Sequence, residues 1–310
     1  MSLYLSGSVA YDRIMNFPGS FSDAIMPDKI HMLNVCFLID RLEEKFGGCA
    51  GNIAYNLALL EQKSIVVSCV GRDFGNYEAV FKERGLPLEG LTRCENEFTA
   101  GAYIVTDANN NQITAFNPGA MRNDTRYTFP GLDSDDIFII SPTGLGDMLR
   151  YPKLCKEKGV RCIFDPGQQI PALSGEQLCE AINGSFILIS NSYELELIMK
   201  ATGKTRAELL AMTSYLITTS GEEGSRVEYG TTSEAISLVP ARACVDPTGA
   251  GDAYRAGLLK GLALGLSVTE AARIGATVGS FCVEGYGTQV HTFTLAECRE
   301  RHAKVFGKAF

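Results

Sequence analysis

The stretch Asp246-Pro247-Thr248-Gly249-Ala250-Gly251-Asp252 places a carboxylate directly after a turn of small residues. Leu258, Leu259, Leu262 and Ala263 then recur at helical spacing, so a helix starts near Ala250. Two glycines flanking an alanine at a helix start leave backbone N–H groups unobstructed. With the positive end of the helix dipole they form an anion site that needs no lysine. Asp252 stands just inside that turn, either as an ordinary dipole partner, worth about 0.3–1 kcal/mol, or as a general base beside the anion. The second role belongs to phosphoryl transfer, in which the base takes the proton of an attacking hydroxyl while the amides hold the developing charge. Asp246 cannot share the helical turn and reads as structural or cation-related. Asn191 and Glu194, spaced i and i+3 at another helix start, either face one point together or close a capping box.

The elements that must hold these groups follow from the apolar pattern. Strand-like runs occur at Leu3–Val9, Ser64–Val70, Asp136–Ser141, Val160–Phe164, Phe186–Ser190 and Tyr215–Thr219. Helical patterns lie between them at Ala50–Glu61, Asn76–Arg84, Asp147–Lys158, Glu176–Ile182 and Tyr193–Lys200. That alternation implies an α/β fold, a mostly parallel central sheet with helices on both faces. Two stretches break the rhythm. One is Ile14 to Phe46, with an extended piece at Cys36–Leu42; the other is a hairpin pairing Ala102–Thr106 with Gln112–Phe116. We expect a small β-sheet lid from about residues 14–46 and 99–117, on a single domain spanning 1–310.

Composition narrows the partners. Of 310 residues, 45% are apolar and 21% charged, with a net charge of −8 that disfavours nucleic acid and anionic lipid. The ten cysteines form no C-x-x-C and sit mostly in apolar runs, which reads as free buried thiols in a reducing compartment. Three histidines without H-x-x-x-H spacing do not suggest zinc. The start of the chain lacks the features of a signal peptide, and no run is long enough to span a membrane, so a cytoplasmic location is expected. Gly203-Lys204-Thr205 lacks the glycine a P-loop needs, and no G-x-G-x-x-G follows the first strand.

Taken together, Asp246–Ala253, the run Gly47-Gly48-Cys49-Ala50-Gly51-Asn52 with Val70–Gly75, Asn191-Ser192-Tyr193-Glu194, and Thr219–Gly224 resemble the motifs of the ribokinase-like (PfkB) carbohydrate and nucleoside kinases. They occur in that family's order along nearly the whole chain. The resemblance implies a ribokinase-like fold and a kinase in which Asp252 is the base and Gly249, Ala250 and Gly251 form the anion hole. It assigns Asp12, after the first strand, to substrate hydroxyls. Gly47 and Gly48 would allow close backbone approach, and Asn52 would hydrogen-bond the same hydroxyls. A turn role for Asp12 and a capping role for the glycines and Asn52 are the plainer alternatives.

The resemblance also places Mg²⁺ and the ATP phosphates at Asn191 and Glu194, through water. Thr219, Gly221 and Gly224 would border the nucleotide, and Gly275, Ala276 and Gly279 would leave room for adenine or serve helix packing. Cys49 and Ala50 after Gly47-Gly48, and Pro247 after Asp246, depart from the best-known sugar kinases, so a monovalent cation such as K⁺ near Asp246 and Thr248 is left open. For the acceptor, Gln112–Met121 and Tyr254-Arg255 look like bacterial adenosine or nucleoside kinases. Phe116 could stack on a base and Met121 line an apolar pocket, or both could be lid core. The expected reaction is transfer of the γ-phosphoryl group to the 5′-hydroxyl of a nucleoside, adenosine in the first place. The alternatives are a ribokinase- or fructokinase-like sugar kinase and a non-catalytic metabolite-binding protein. A homodimer through exposed lid edges is a further expectation.

Overall fold

The computed structural model describes residues 1–310. Its strands are β1 (Leu3–Ser6), β2 (Ala10–Asn16), β3 (Arg41–Gly47), β4 (Ile65–Gly71), β5 (Leu91–Cys94), β6 (Ala100–Thr106) and β7 (Gln112–Asn117). They continue with β8 (Ile137–Ile140), β9 (Arg161–Phe164), β10 (Ile187–Asn191), β11 (Tyr215–Thr219), β12 (Ser225–Tyr229) and β13 (Thr232–Ile236). Nine of these make one sheet in the order β13-β12-β11-β10-β9-β8-β1-β4-β5. It is parallel from β11 to β5, and the β12–β13 hairpin adds an antiparallel edge.

The strands are apolar on both faces because both faces are covered. Leu3, Leu5, Ile137 and Ile139 join a core cluster with Ile53 and Leu57 of helix Cys49–Leu59 and Leu258 and Leu262 of helix Ala250–Ala263. The intervening Tyr4, Phe138 and Ile140 point the other way, onto Met148 and Tyr151 of helix Leu145–Lys158 and Ile198 of helix Ser192–Thr202. This is the three-layer arrangement that the β-α alternation implies.

The other four strands form a separate sheet in the order β3-β2-β6-β7. Its central pair, β2 and β6, is parallel, and both outer pairs are antiparallel. It contains the expected hairpin, but its first strand begins at Ala10, earlier than the residues read as breaking the rhythm. The chain leaves β1 at Ser6 and changes sheet within Gly7–Val9, so Leu3–Val9 is not one strand. Of the extended piece Cys36–Leu42, only Arg41 and Leu42 are in a strand. The segment before it carries a short helix at Phe21–Ala24 and 3₁₀ turns at Pro27–Met32. The ten cysteines are all unpaired, as expected, but only five are buried. Cys36 and Cys244 are exposed because they fall in loops, Cys36 despite its apolar neighbours Val35 and Phe37–Ile39.

Candidate active site

Gly249 ends the loop before helix Ala250–Ala263 with a φ of 82°, a left-handed conformation that a side chain disfavours. The N–H of Ala250 turns back onto the Pro247 carbonyl at 3.1 Å, whereas no carbonyl of the chain accepts from Gly249, Gly251 or Asp252. The free donors are therefore those of the two glycines and of Asp252 itself, and Ala250 contributes only its place in the turn.

Asp252 accepts a hydrogen bond from Asn52 Nδ2 at 2.8 Å. Burial pushes its carboxyl up to about 6, against the opposing pull of Arg255 and of the Asn52 bond, with Asp165 and Glu194 adding to the rise. A carboxyl so tuned is ionised at neutral pH yet basic enough to take a proton from a hydroxyl.

Beside this turn lies a buried ion pair whose acidic partner, Asp165, is absent from the sequence motifs. Arg255 donates from Nε to Asp165 Oδ2 and from Nη2 to Asp165 Oδ1, each at 2.5 Å, and Ser141 Oγ donates to the same carboxylate at 2.9 Å. Both partners are almost fully buried. Asp165 and Ser141 directly follow β9 and β8, so the site sits at the carboxyl ends of the parallel strands, where open α/β sheets bind ligands. A Cβ on Gly251 would come within 2.8 Å of Arg255 Nη1, which brings a guanidinium beside the free amides.

Asn191 and Glu194 close a reciprocal capping box: Glu194 N donates to Asn191 Oδ1 at 2.7 Å, and Asn191 N donates to Glu194 Oε2 at 2.8 Å. The Glu194 carboxyl is raised by burial, with the Asn191 backbone bond opposing and Asp165 adding to the rise. Glu194 Oε1 makes no hydrogen bond within the chain and is left for a ligand. No group of three or more His, Cys, Asp or Glu side chains could cage a metal. A single carboxylate nonetheless suffices for Mg²⁺, which retains waters and takes its remaining oxygens from phosphate.

Thr219, Gly221, Gly224, Ala276 and Gly279 line one cavity of about 730 Å³ together with Ala250 and Gly251. Five of the residues expected around a nucleotide thus share one cavity, whereas Asn191 and Glu194 do not line it. Gly275 does not take part: a Cβ there would lie 2.8 Å from the Tyr254 carbonyl, so its smallness serves helix packing. The Tyr254 hydroxyl pairs with Ser225 Oγ at 2.8 Å in the cavity wall. Tyr254 and Arg255 therefore shape the nucleotide side and the floor of the site, and neither side chain's observed partner lies on the acceptor side. A second cavity of about 640 Å³, with Arg93 and Arg126, shares none of these residues.

On the other side, Asp12 lies in register with Lys45 of β3 and Ala102 of β6, and Ala102 with Phe116 of β7. Directly paired residues share a face, so Asp12 and Phe116 look the same way. The Asp12 carboxylate makes no hydrogen bond within the chain, lies against Gly47, and is raised by burial with Lys45 opposing. Phe116 is 52% exposed, and Met121 is 5% exposed, buried with Ala10 and Ala100 where the sheets meet. Phe116 is thus free for a ligand and is not lid core, whereas Met121 packs as core.

Gly48, with a φ of 86°, makes the turn into helix Cys49–Leu59, and it is this turn that carries Asn52 to Asp252. Asp246 Oδ1 accepts from Thr248 N at 2.9 Å and Thr248 Oγ1 at 2.7 Å, and its Oδ2 accepts from Gly287 N at 2.8 Å, so it braces the loop. The residues that the sequence motifs did not single out are Asp165, Ser141, Tyr77 and Gln289. They sit in stretches with no recognisable spacing, and only the fold brings them to the site.

Comparison with known proteins agrees with this geometry. The family model described as pfkB family carbohydrate kinase matches residues 9–294. A nucleoside kinase of Methanocaldococcus jannaschii is 34% identical over 302 residues, 96% of this chain and 95% of that one. A nucleoside kinase of Methanothermobacter thermautotrophicus is 30% identical, covering 97% of this chain and 95% of its own. Among solved structures, the nucleoside kinase of Burkholderia thailandensis in complex with inosine superposes with a TM-score of 0.87 at 34% identity, covering 99% of both chains. With an anion turn, a half-buried carboxylate and a ribokinase-like scaffold all in place, the chain belongs to the pfkB family and is a kinase.

Proposed function

We propose that the protein transfers the γ-phosphoryl group of ATP to the 5′-hydroxyl of a nucleoside, adenosine or a close relative of it. The observation that carries this reading is the position of Asp252. Its half-buried carboxylate neighbours an unpartnered set of amides, continuous with the nucleotide cavity, and through Asn52 it is tied to the helix that follows β3 of the small sheet, which holds the free Asp12 carboxylate and the exposed Phe116 ring. The likeness to two nucleoside kinases, and to one solved with inosine and with ADP-inosine, supports a nucleoside over a free sugar.

In this mechanism Asp12 accepts hydrogen bonds from sugar hydroxyls and fixes the ribose. Asp252 takes the proton from the 5′-hydroxyl, whose oxygen attacks the γ-phosphorus. The bond to the β-bridging oxygen breaks, and ADP leaves with that electron pair. The N–H groups of Gly249, Gly251 and Asp252 receive the charge on the phosphoryl oxygens, and the Arg255 guanidinium adds positive field behind them. Mg²⁺, held by Glu194 and Asn191 through water, would neutralise phosphate charge when bound. The small sheet acts as a lid that keeps water from the phosphoryl group.

Asp246 is the carboxylate available to a monovalent cation at the loop, and rates measured in K⁺ against a bulky organic cation test that dependence. The exposed edges of β3 and β7 suit a homodimer through the small sheet. Ten unpaired cysteines fit a cytoplasmic location, and no helix is long and apolar enough to cross a membrane.

The test is ADP release with adenosine, inosine, cytidine, ribose and fructose as acceptors. Turnover with a nucleoside, with the product phosphorylated at the 5′ position, is the expected result. Turnover with free sugars alone replaces the nucleoside by the sugar-kinase reading. Ligand-induced thermal stabilisation without ADP release from any acceptor leaves only a binding protein.

A further inference from the structure

The loop Tyr286–Gln289 contributes nothing to the nucleotide cavity, yet it bonds Asp246, Asn52, Tyr77 and the end of β3. Gln289 has a φ of 57°, uncommon for a residue with a side chain, and such conformations persist where surrounding contacts fix them. Gln289 Nε2 donates to Asn52 Oδ1 at 2.9 Å and to the Tyr77 hydroxyl oxygen at 2.5 Å. Tyr77 donates its own proton to the Gly47 carbonyl at 2.8 Å, and Asn52 Nδ2 donates to Asp252 Oδ2 at 2.8 Å.

The chemistry of the groups fixes the direction of this chain. An amide nitrogen only donates, so the atom of Asn52 that meets Gln289 is its oxygen, and the nitrogen is left facing the carboxylate. Gly51 is the residue that admits the chain: a Cβ there would lie 2.1 Å from the Tyr77 hydroxyl. The same loop is anchored to the end of β3. Lys45 Nζ donates to the Tyr286 carbonyl at 3.0 Å, and Thr288 Oγ1 donates to the Phe46 carbonyl at 2.6 Å.

We infer that Gln289 is a positioning residue for phosphoryl transfer: it fixes the amide of Asn52 so that an N–H faces Asp252, and through Tyr77 it ties that orientation to the last residue of β3. The inference rests on Asp252 being the base. Without the Gln289 donor, only the carboxylate itself orients the Asn52 amide, whose N–H is no longer locked in place from behind. The Asn52–Asp252 bond is then lost for much of the time, and the carboxylate loses its aim at the hydroxyl. The other titratable groups that face Asp252 are Arg255 of its own helix, Asp165, Glu194, Cys49, Cys282 and Tyr77. Gln289 bonds only Tyr77 among them, so its effect on the carboxylate is read through Asn52.

The experiment is steady-state kinetics across pH for Gln289→Leu, Asn52→Ala and the double variant, with Gln289→Glu as a same-shape control. Gln289→Leu is expected to lower kcat about tenfold, the weight of one lost hydrogen bond to a charged group, with KM for ATP unchanged. The acid limb of the kcat profile should move to higher pH, because the bond that favours the ionised carboxylate is gone. In the Asn52→Ala background, Gln289→Leu should add less than a further twofold.

Full multiplication of the two single effects, or a lowered kcat with an unmoved acid limb, overturns the inference. If Gln289→Leu does not fold, Gln289→Glu decides, since a normal kcat and acid limb in that variant equally overturn it. Asp252→Asn is measured alongside. Near-normal turnover there removes the base, whereas an inactive Asp252→Asn with unaffected Gln289 variants removes the positioning role alone.

Discussion

The two sheets treat their side chains in opposite ways. β1 and β8 are buried at every position, between helices on both faces, whereas β7 has one partly buried residue at its end and is otherwise exposed. The large sheet fixes whatever it carries: the Arg255–Asp165 pair, the free amides and Asp252 are held by buried neighbours. The small sheet leaves its chemistry unpaired, with a carboxylate at Asp12 that bonds nothing and an aromatic ring at Phe116 open to solvent. Under the proposed reaction, the body is organised before substrate arrives, and the small sheet gains its partners from the substrate. Phosphoryl transfer needs the first property at the γ-phosphate and tolerates the second at the acceptor.

Substitutions should separate the regions by what they disturb. In the body, Asp252→Asn should lower kcat by roughly 10²–10⁴-fold while ATP binding, read by calorimetry, persists. Near-wild-type turnover would remove Asp252 as the base. In the wild type, the acid limb of kcat/KM should lie near the Asp252 value of about 6, with activity falling as pH drops below it.

Asp252→Asn should also stabilise the ligand-free protein at pH 8. The folded carboxyl is raised above its ordinary value, so the protonated form's stabilisation is complete below that ordinary value and is lost as pH rises through about 6. The gain at pH 8 is of order 2–3 kcal/mol at about 1.4 kcal/mol per pH unit, and denaturant melts at pH 4 should show almost none of it.

Breaking the buried ion pair tests the floor of the site. Asp165→Leu alone should cost about 3–5 kcal/mol because it strands the Arg255 charge, and the double variant with Arg255→Met should recover most of it. A single variant that melts like the wild type would show that the pair is screened by water.

In the small sheet, Asp12→Asn should raise KM for the nucleoside about tenfold to a hundredfold, the weight of a hydrogen bond to a charged group, with melting temperature and KM for ATP unchanged. Phe116→Ala should raise the same KM by about two- to tenfold through lost ring stacking. A drop in melting temperature in either variant would mean that the small sheet is pre-organised like the body, and the contrast would fall.

The legibility of the molecule divides along the same line. β11 runs from Tyr215 to Thr219 as its apolar pattern implies, because a strand buried on both faces is a bounded apolar run. The sheet change at Gly7–Val9 is invisible in sequence: the residues from Leu3 to Tyr11 are mostly apolar, and only the choice of partners splits them into β1 and β2. The β12–β13 hairpin leaves little trace in the sequence, because Ser225–Ile236 mixes charges into half-exposed strands whose alternation is weak. At the proposed site, Asp252, Glu194 and the glycine turn are legible in sequence because their spacing is local to one helix start each. Gln289 was not, since its partners Asn52 and Tyr77 lie more than two hundred residues away in the chain.

The sequence by itself determined the β-α alternation, the anion turn at Gly249–Gly251 and the carboxylate one residue beyond it, because each depends on residues within one or two helical turns. Tertiary structure alone decided which atoms surround that carboxylate. Burial sets its proton affinity, Arg255 and Asp165 set its field, and Asn52 with Gln289 sets its aim, and all three arise from packing between segments that the chain keeps far apart.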